Sequence, residues 1–372
     1  MINTYKQLLK TTPKNKRKNV NITVGISGGV DSATTAYILK KDGFAVKGVY
    51  IHCFSGEKRE CGSNKAKIDA YRVATSLNIP FETWDFEKQY RKKVINYFVD
   101  AYKKGLTPNP DILCNSEIKF KLFLQKAIKC GADYVATGHY AKLVKIVDSK
   151  YQIQNSLFLA IPKDKSKDQT YFLSGISKKV YSKILFPLGD YKKLKVRELA
   201  LKYKVPVATK KDSTGICFLE GISVQDFLHN EISEKNGDVV NENNEIIGSH
   251  KGIWFYTIGQ RHGFSLNKYV GKPLYVISKD YKKNNLIVGE KLHLLKSSIL
   301  VRGNCPLDNK NLYVRIRNLG KLYKLKNIEK VGANCKFTLY KKIDSVAPGQ
   351  FAVIYKKINC TFTILKNYAI IN

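Results

Sequence analysis

The first half of the chain alternates short apolar runs with stretches of helical periodicity. Val20 to Ile26 reads as a buried strand, and a polar loop then leads into a helix from about Asp31 to Lys41, stopped by Gly43. Phe44 to Phe54 reads as a second strand, Asn64 to Leu77 as a helix, and Phe81 to Phe86 as a third strand after Pro80. Helical patterns over Glu87 to Lys104 and Glu117 to Lys129, then a strand over Tyr134 to His139, continue the series. Such alternation predicts an α/β domain whose parallel sheet is covered by helices on both faces. Ligands of these sheets bind at the carboxyl ends of the strands, which is where the loop at 27–32 falls.

The pattern changes after about Phe227. The segment to about residue 297 is rich in Gly and Asn, and Pro273 to Ser278 with Leu286 to Val288 resembles a hairpin around the polar turn Lys279 to Asn285. From Ser298 onward the chain reads all-β. In Tyr313 to Arg317, Val314 and Ile316 fall on one face and Arg315 and Arg317 on the other. Cys335 to Tyr340 and Phe351 to Tyr355 continue in short strands, a spacing that suits a small barrel. The expected domains are therefore 1–226, 227–297 and 298–372.

Composition changes this picture in one respect. The formal charge of +35 favours a polyanionic partner, nucleic acid first. Only nine of the 65 basic residues are arginine, so part of the excess reflects a lysine-rich codon bias. The basic cluster Lys14, Lys16, Arg17, Lys18 reads as a solvated leader. No run of about 18 apolar residues and no secretory h-region is present, so no membrane association is expected and a cytoplasmic location is the default. The eight cysteines form no C-x-x-C pair, which argues against a zinc site, and a disulfide scaffold is not expected.

Two features carry chemistry. The first is SGGVDS at Ser27 to Ser32. Its glycines let backbone N–H groups approach an anion, its serines add hydroxyls, and the following helix points its positive end at the same place. Asp31 is the expected protein partner of Mg²⁺ on bound phosphates. The lysine of a Walker P-loop is missing. The string resembles the signature of the PP-loop ATP pyrophosphatases, which implies a Rossmann-like domain that cleaves ATP to AMP and pyrophosphate and adenylates a substrate. The second feature is a pair of separated cysteines. NPDILCN (Asn109 to Asn115) sets Asp111 three residues before Cys114, and KDSTGICF (Lys211 to Phe218) holds Cys217 in a lysine-flanked, polar stretch. Taken singly, each cysteine could equally be a buried apolar residue. Together, on an ATP-activating fold, they suit sulfur transfer followed by disulfide formation.

NPDILCN, TGHY (Thr137 to Tyr140), KDQTYFL (Lys167 to Leu173), KKDSTGICF (Lys210 to Phe218), TIGQRHG (Thr257 to Gly263) and APGQ (Ala347 to Gln350) occur in this order. The chain thus resembles the bacterial tRNA-specific 2-thiouridylase family over essentially its whole length. That resemblance implies a PP-loop domain, a small central domain and a C-terminal β-barrel. It implies ATP-dependent 2-thiolation of the wobble uridine, U34, of tRNAs for Lys, Glu and Gln, by adenylation of the C2 carbonyl and sulfur transfer. Cys217 matches the persulfide carrier, Cys114 the nucleophile and Asp111 the acid/base, with a transient Cys114–Cys217 disulfide. Gly25, Ile26, Ser27, Gly28, Gly29, Val30, Asp31 and Ser32 match the ATP loop, and Ile51 and Gly138 match further ATP contacts. Ile51 departs from a position that is often methionine. Asn109, Pro110 and Asp111 match the segment that meets the target base. His139, Lys167, Asp168, Gln169, Arg317, Asn318 and Gln350 match tRNA contacts. Asn318 stands where an aromatic residue is usual. The implied partners are tRNA and a persulfide donor, a cysteine desulfurase or a relay protein, and a monomer is the simpler expectation. A different PP-loop enzyme and a non-catalytic RNA-binding protein are the rival readings.

Overall fold

The computed structural model of the chain describes residues 3–54, 60–148, 153–212, 223–267, 271–306 and 310–371. Two compact units are formed: Met1–Val94 with Asp111–Glu220 and Ile358–Leu365, and Ile95–Pro110 with Gly221–Lys357 and Lys366–Asn372.

The first unit is built on a parallel sheet of β1 (Asn21–Gly25), β2 (Ala45–His52), β3 (Phe81–Asp85), β4 (Tyr134–Thr137) and, after β5 (Lys142–Asp148) and β6 (Ile153–Ala160), β7 (Ile184–Leu185). The order across the sheet is β3-β2-β1-β4-β7. β1 pairs with β2 on one side and β4 on the other, Gly25 lying opposite Thr137. The order of succession reverses between β1 and β4, which opens a crevice at their carboxyl ends. Ile22, Val24, Val135 and Ala136 are at most 1% exposed, as continuous apolar runs in a sheet covered on both faces require. Helix Val30–Lys41 buries Ala33, Ala36 and Leu39 against this sheet.

The expected strands and the loop helix are all present, with three corrections. In the basic stretch near the N-terminus Lys14, Lys16 and Lys18 are exposed as expected, but Arg17 is not simply solvated. The stretch follows helix Thr4–Thr11, and Arg17 donates to the carbonyls of Leu9, Thr12 and Asp42 at 2.7, 3.0 and 3.1 Å. The helix expected from Glu117 begins at Pro110, because proline, with no N–H to lose, is well suited to a first helical position. It runs on through a π-helical stretch, Cys114–Phe123, kinked at Phe120, to Lys129. The antiparallel pair β5 and β6 was not expected. It encloses a small core of Val144, Ile146, Phe158 and Ala160 with Ile358.

The second unit holds two sheets. β8 (Gly237–Val240), β9 (Ile246–His250), β10 (Ser265–Leu266), β11 (Tyr275–Asp280) and β12 (Asn285–Gly289) are ordered β10-β9-β8-β12-β11, with β11 and β12 as the expected hairpin. β13 (Lys296–Arg302), β14 (Leu312–Arg315), β15 (Tyr323–Val331), β16 (Asn334–Ile343), β17 (Phe351–Ile358) and β18 (Thr361–Ala369) follow. β13 pairs with β16, β16 with β15, β15 with β14 and β14 with β17, all antiparallel. The C-terminal segment is thus an antiparallel sheet, with a further bridge between Ile370, just past β18, and Val301 of β13. Cys305 and Cys335 are joined as a disulfide, Cα–Cα 5.4 Å, although no disulfide scaffold was expected. The β13–β16 register, with Val301 opposite Cys335, is what brings the two together.

Candidate active site

Two glycines shape the loop after β1. Gly28 has φ +74°, and a Cβ there would lie 2.4 Å from the Ala66 carbonyl oxygen. Gly138, just past β4, is pressed on the first turn of helix Val30–Lys41. A Cβ at Gly138 would fall 2.5 Å from the Ser32 nitrogen and 2.7 Å from the Asp31 carbonyl carbon. The Ser32 hydroxyl donates to the Gly29 carbonyl at 3.1 Å and accepts from the Ser27 amide at 3.1 Å, with the Ser27 hydroxyl also 3.1 Å away. Gly29 occupies the N-cap without a side-chain bond, so no side chain there takes up the first-turn amides. The positive end of the helix and its amides are thereby left for an anion. The side chains of Ile26 and Val30, residues 1% and 4% exposed, pack in the core, which leaves only their backbone groups to face the loop.

Charged side chains gather beside the loop. Lys193 donates to both carboxylate oxygens of Asp31 at 2.7 and 2.8 Å and lies 2.8 Å from Asp212. Tyr140 donates its hydroxyl to Asp31 at 2.9 Å, and its pKa is raised, by burial first and by Asp31 second. Asp212 also receives Lys167 at 2.8 Å and Arg197 at 2.7 Å. Burial works against the charge on Asp212, but the hydrogen bonds from Lys167 and Lys193 outweigh it and hold the carboxyl well below the usual range. Lys210 reaches the Gly28 carbonyl at 3.0 Å and Asp69 at 2.8 Å.

The helix carrying Cys114 adjoins this loop. A Cβ on Gly25 would sit 3.6 Å from Phe123, on that helix, and 3.7 Å from Ile51. Cys114 is 2% exposed and carries a free thiol. Asp111 and Cys114, three residues apart in one helix, share a face. Between them and Phe123, Asn115 donates its amide to the Asp111 carbonyl at 2.9 Å. The His139 ring lies tilted against Phe120 of the Cys114 helix, centroids 5.9 Å apart, and pairs with the Thr137 hydroxyl at 2.8 Å. Burial chiefly, and Lys119 next, hold the imidazole pKa well below its ordinary value, so the ring is neutral at pH 7.

The other matched residues are placed as follows. Gln169 exchanges hydrogen bonds with the Tyr140 backbone, its side-chain oxygen accepting at 2.9 Å. Asp168 is 1% exposed and accepts from the amide and hydroxyl of Thr170. Gly25, Asp31, Ser32, Ile51, Cys114, Gly138, His139, Lys167 and Gln169 thus belong to the first unit. Asn109, Pro110, Arg317, Asn318 and Gln350 belong to the second. There Arg317 donates to Asp344 at 2.9 Å, the Asn318 side-chain oxygen is buried without a partner, and Leu319 is half exposed at φ +55°. Cys217 lies outside the described residues. His52, Asp85 and Glu87 are the one group among the described residues whose donor atoms could converge on a metal, and Asp85 already accepts the Glu87 amide at 2.8 Å.

Sequence reasoning passed over Tyr140, Asp212, Lys210 and Lys193. The first three sit inside quoted strings, where position within a motif was a signal. Lys193 has none, being one of 56 lysines.

Residues 20–221 match the family described as the tRNA methyl transferase HUP domain, and residues 225–290 the tRNA methyl transferase PRC-barrel domain. The chain is 36% identical over 356 residues to a tRNA-specific 2-thiouridylase MnmA of Staphylococcus epidermidis, covering 92% of this chain and 94% of that one. It is 44% identical over 280 residues to the protein of that name from Shouchella clausii, covering 75% of each. Among solved structures, the U34-tRNA thiolase NcsA of Methanococcus maripaludis aligns at 18% identity over 58% of this chain and 65% of that one. Its TM-score of 0.37 is too low to argue from.

Proposed function

The chain belongs to the tRNA-specific 2-thiouridylase family, and on that premise we propose that it is an ATP-dependent sulfurtransferase that 2-thiolates U34 of tRNAs for Lys, Glu and Gln. ATP would convert the C2 oxygen of the uridine into an adenylate leaving group, and sulfur would take its place. The observation that carries this reading is the joining of two chemistries in one unit: an anion cradle at Ser27 to Ser32, and a free Cys114 on a helix whose Phe123 lies against Gly25, the end of the strand that leads into that cradle.

In this account the loop and the amides of the first helical turn hold the phosphates, and Ile51 offers an apolar wall to the adenine. Mg²⁺ on the phosphates has Asp31 as its expected protein partner. Asp111 moves protons at the base, with Asn109 and Pro110 beside it. Cys217 brings a persulfide, and Cys114 completes the transfer so that both cysteines end as a disulfide, which a reductant reopens each turnover. His139, Lys167, Asp168, Gln169, Arg317, Asn318 and Gln350 are assigned to the tRNA. Asp168 and Gln169 act there by fixing backbone, since their side chains are already engaged.

Mass spectrometry of wobble nucleosides tests the proposal, after reaction of unmodified tRNA with the protein, ATP, Mg²⁺ and a persulfide source. The expected product is 2-thiouridine at position 34, absent with Cys114→Ser or Cys217→Ser. Unmodified uridine from folded, ATP-binding protein would refute it, and full product from Cys217→Ser would point to another PP-loop chemistry.

A further inference from the structure

We propose that Lys193 is the phosphate-binding cation that the nucleotide loop lacks in its own sequence. The inference rests on reading Ser27 to Ser32 as an ATP loop. SGGVDS contains no lysine, yet the fold delivers an ammonium to it from a helix 162 residues away. Lys193 opens helix Lys193–Lys202, and its backbone amide is tied to Asp164 at 2.8 Å. Its base is therefore fixed while its side chain, only 10% exposed, reaches the loop.

The surroundings of this lysine suit a role beyond the fold. Around the loop three carboxylates, Asp31, Asp164 and Asp212, face three cations, Lys167, Lys193 and Arg197, and the Lys193 side chain is the least exposed of the cations. An ion cluster of this kind is weak evidence for stability, because apolar side chains of similar volume do as well. It needs another reason to exist.

The distribution of partners also identifies which cation can move. Asp212 keeps Lys167 and Arg197 if Lys193 leaves it. Asp31 keeps the Tyr140 hydroxyl and the positive end of its own helix. Lys193 can therefore turn to a phosphate without orphaning a buried carboxylate. Its departure also frees the Asp31 oxygens, which it otherwise occupies, for the Mg²⁺ that accompanies ATP. Lys210 is different in kind: it ties the Gly28 carbonyl to Asp69, and so maintains the left-handed turn itself.

The test compares binding of ATP, pyrophosphate and AMP by calorimetry to the full chain and to Lys193→Met and Lys193→Arg, with melting temperatures measured alongside. Loss of one charged hydrogen bond should weaken ATP and pyrophosphate about 10- to 100-fold in Lys193→Met. AMP should change less than about threefold, and Lys193→Arg should recover most of the ATP affinity. Wild-type ATP affinity in Lys193→Met would overturn the inference. So would an equal loss for ATP and AMP, the mark of a structural role. A wild-type chain that binds no ATP would instead overturn the function proposed above, and this inference with it.

Discussion

Replacing Gly138 by alanine should disable the nucleotide loop at a distance from any phosphate. The added methyl would fall 2.5 Å from the Ser32 nitrogen, short by about 0.9 Å of the 3.4 Å where ordinary contact begins, and 2.7 Å from the Asp31 carbonyl carbon. Both are backbone atoms in the first turn of a helix, so no rotamer change relieves the overlap. Overpacking of this kind costs about 1–3 kcal/mol, or roughly 2–12 °C in melting temperature for a unit of this size. The relief available is to push the first turn away from β4, which also displaces Asp31 from Tyr140 and opens the cradle. Melting curves with and without ATP and Mg²⁺ read both effects. The wild type should gain about 3 kcal/mol at a hundred times its dissociation constant. Gly138→Ala should melt lower and gain little. Gly25→Ala is the steric control, since its methyl would meet nothing closer than 3.6 Å. It should leave the unliganded protein within about 0.5 kcal/mol of wild type. An undiminished ATP shift in Gly138→Ala would refute the reasoning that this contact sets the loop.

Leu319→Gly should stabilise the second unit by about 1 kcal/mol in denaturant titrations, because a leucine at φ +55° pays a steric penalty that glycine avoids. Burial pushes Lys279 down to about 8. Between that value and about 10.4 the unfolded chain holds the extra proton, so this lysine makes stability rise with pH, opposed above about 10 by Tyr102 and Tyr281, both raised to about 12 by burial. Lys279→Met should flatten the rise between pH 8 and 10, and an unchanged profile would exclude the buried ammonium. Asp212, held low in the folded state, adds stability that is present above about pH 4 and lost on acidification through its folded value. The gap in melting temperature between wild type and Asp212→Asn should therefore narrow as pH falls. Binding of tRNA should weaken steeply as salt rises, in proportion to the phosphates neutralised, and a flat response would remove electrostatics as its basis.

What the sequence disclosed was local. The strand, SGGVDS turn and helix are contiguous, so period and glycine placement located them within a residue or two. TGHY was placed at the end of a strand read over Tyr134 to His139, but that Gly138 touches Ser32 depends on β4 pairing beside β1, a register no single sequence states. The start of the Cys114 helix was placed too late, at Glu117, because a proline alone does not announce a helix, whereas Pro110 takes the first helical position. β5 and β6 escaped because Lys142 and Lys145 break up their apolar alternation. The Cys305–Cys335 bond and the Lys193 contacts are products of long-range pairing, and neither leaves a trace in spacing.

The reach of Lys210 to Gly28 spans 182 residues. At about 5–20 residues added per second, roughly 10–40 s separate the synthesis of the loop from that of the lysine that ties it down. For most of that interval a nascent chain displays the whole SGGVDS string with neither Lys193 nor Lys210 made. The motif is thus made long before the residues that complete it. A chain abandoned just before residue 193 carries the signature of a nucleotide enzyme but lacks Lys193, Arg197 and Lys210, so premature termination leaves a fragment with a recognisable loop and an incomplete site.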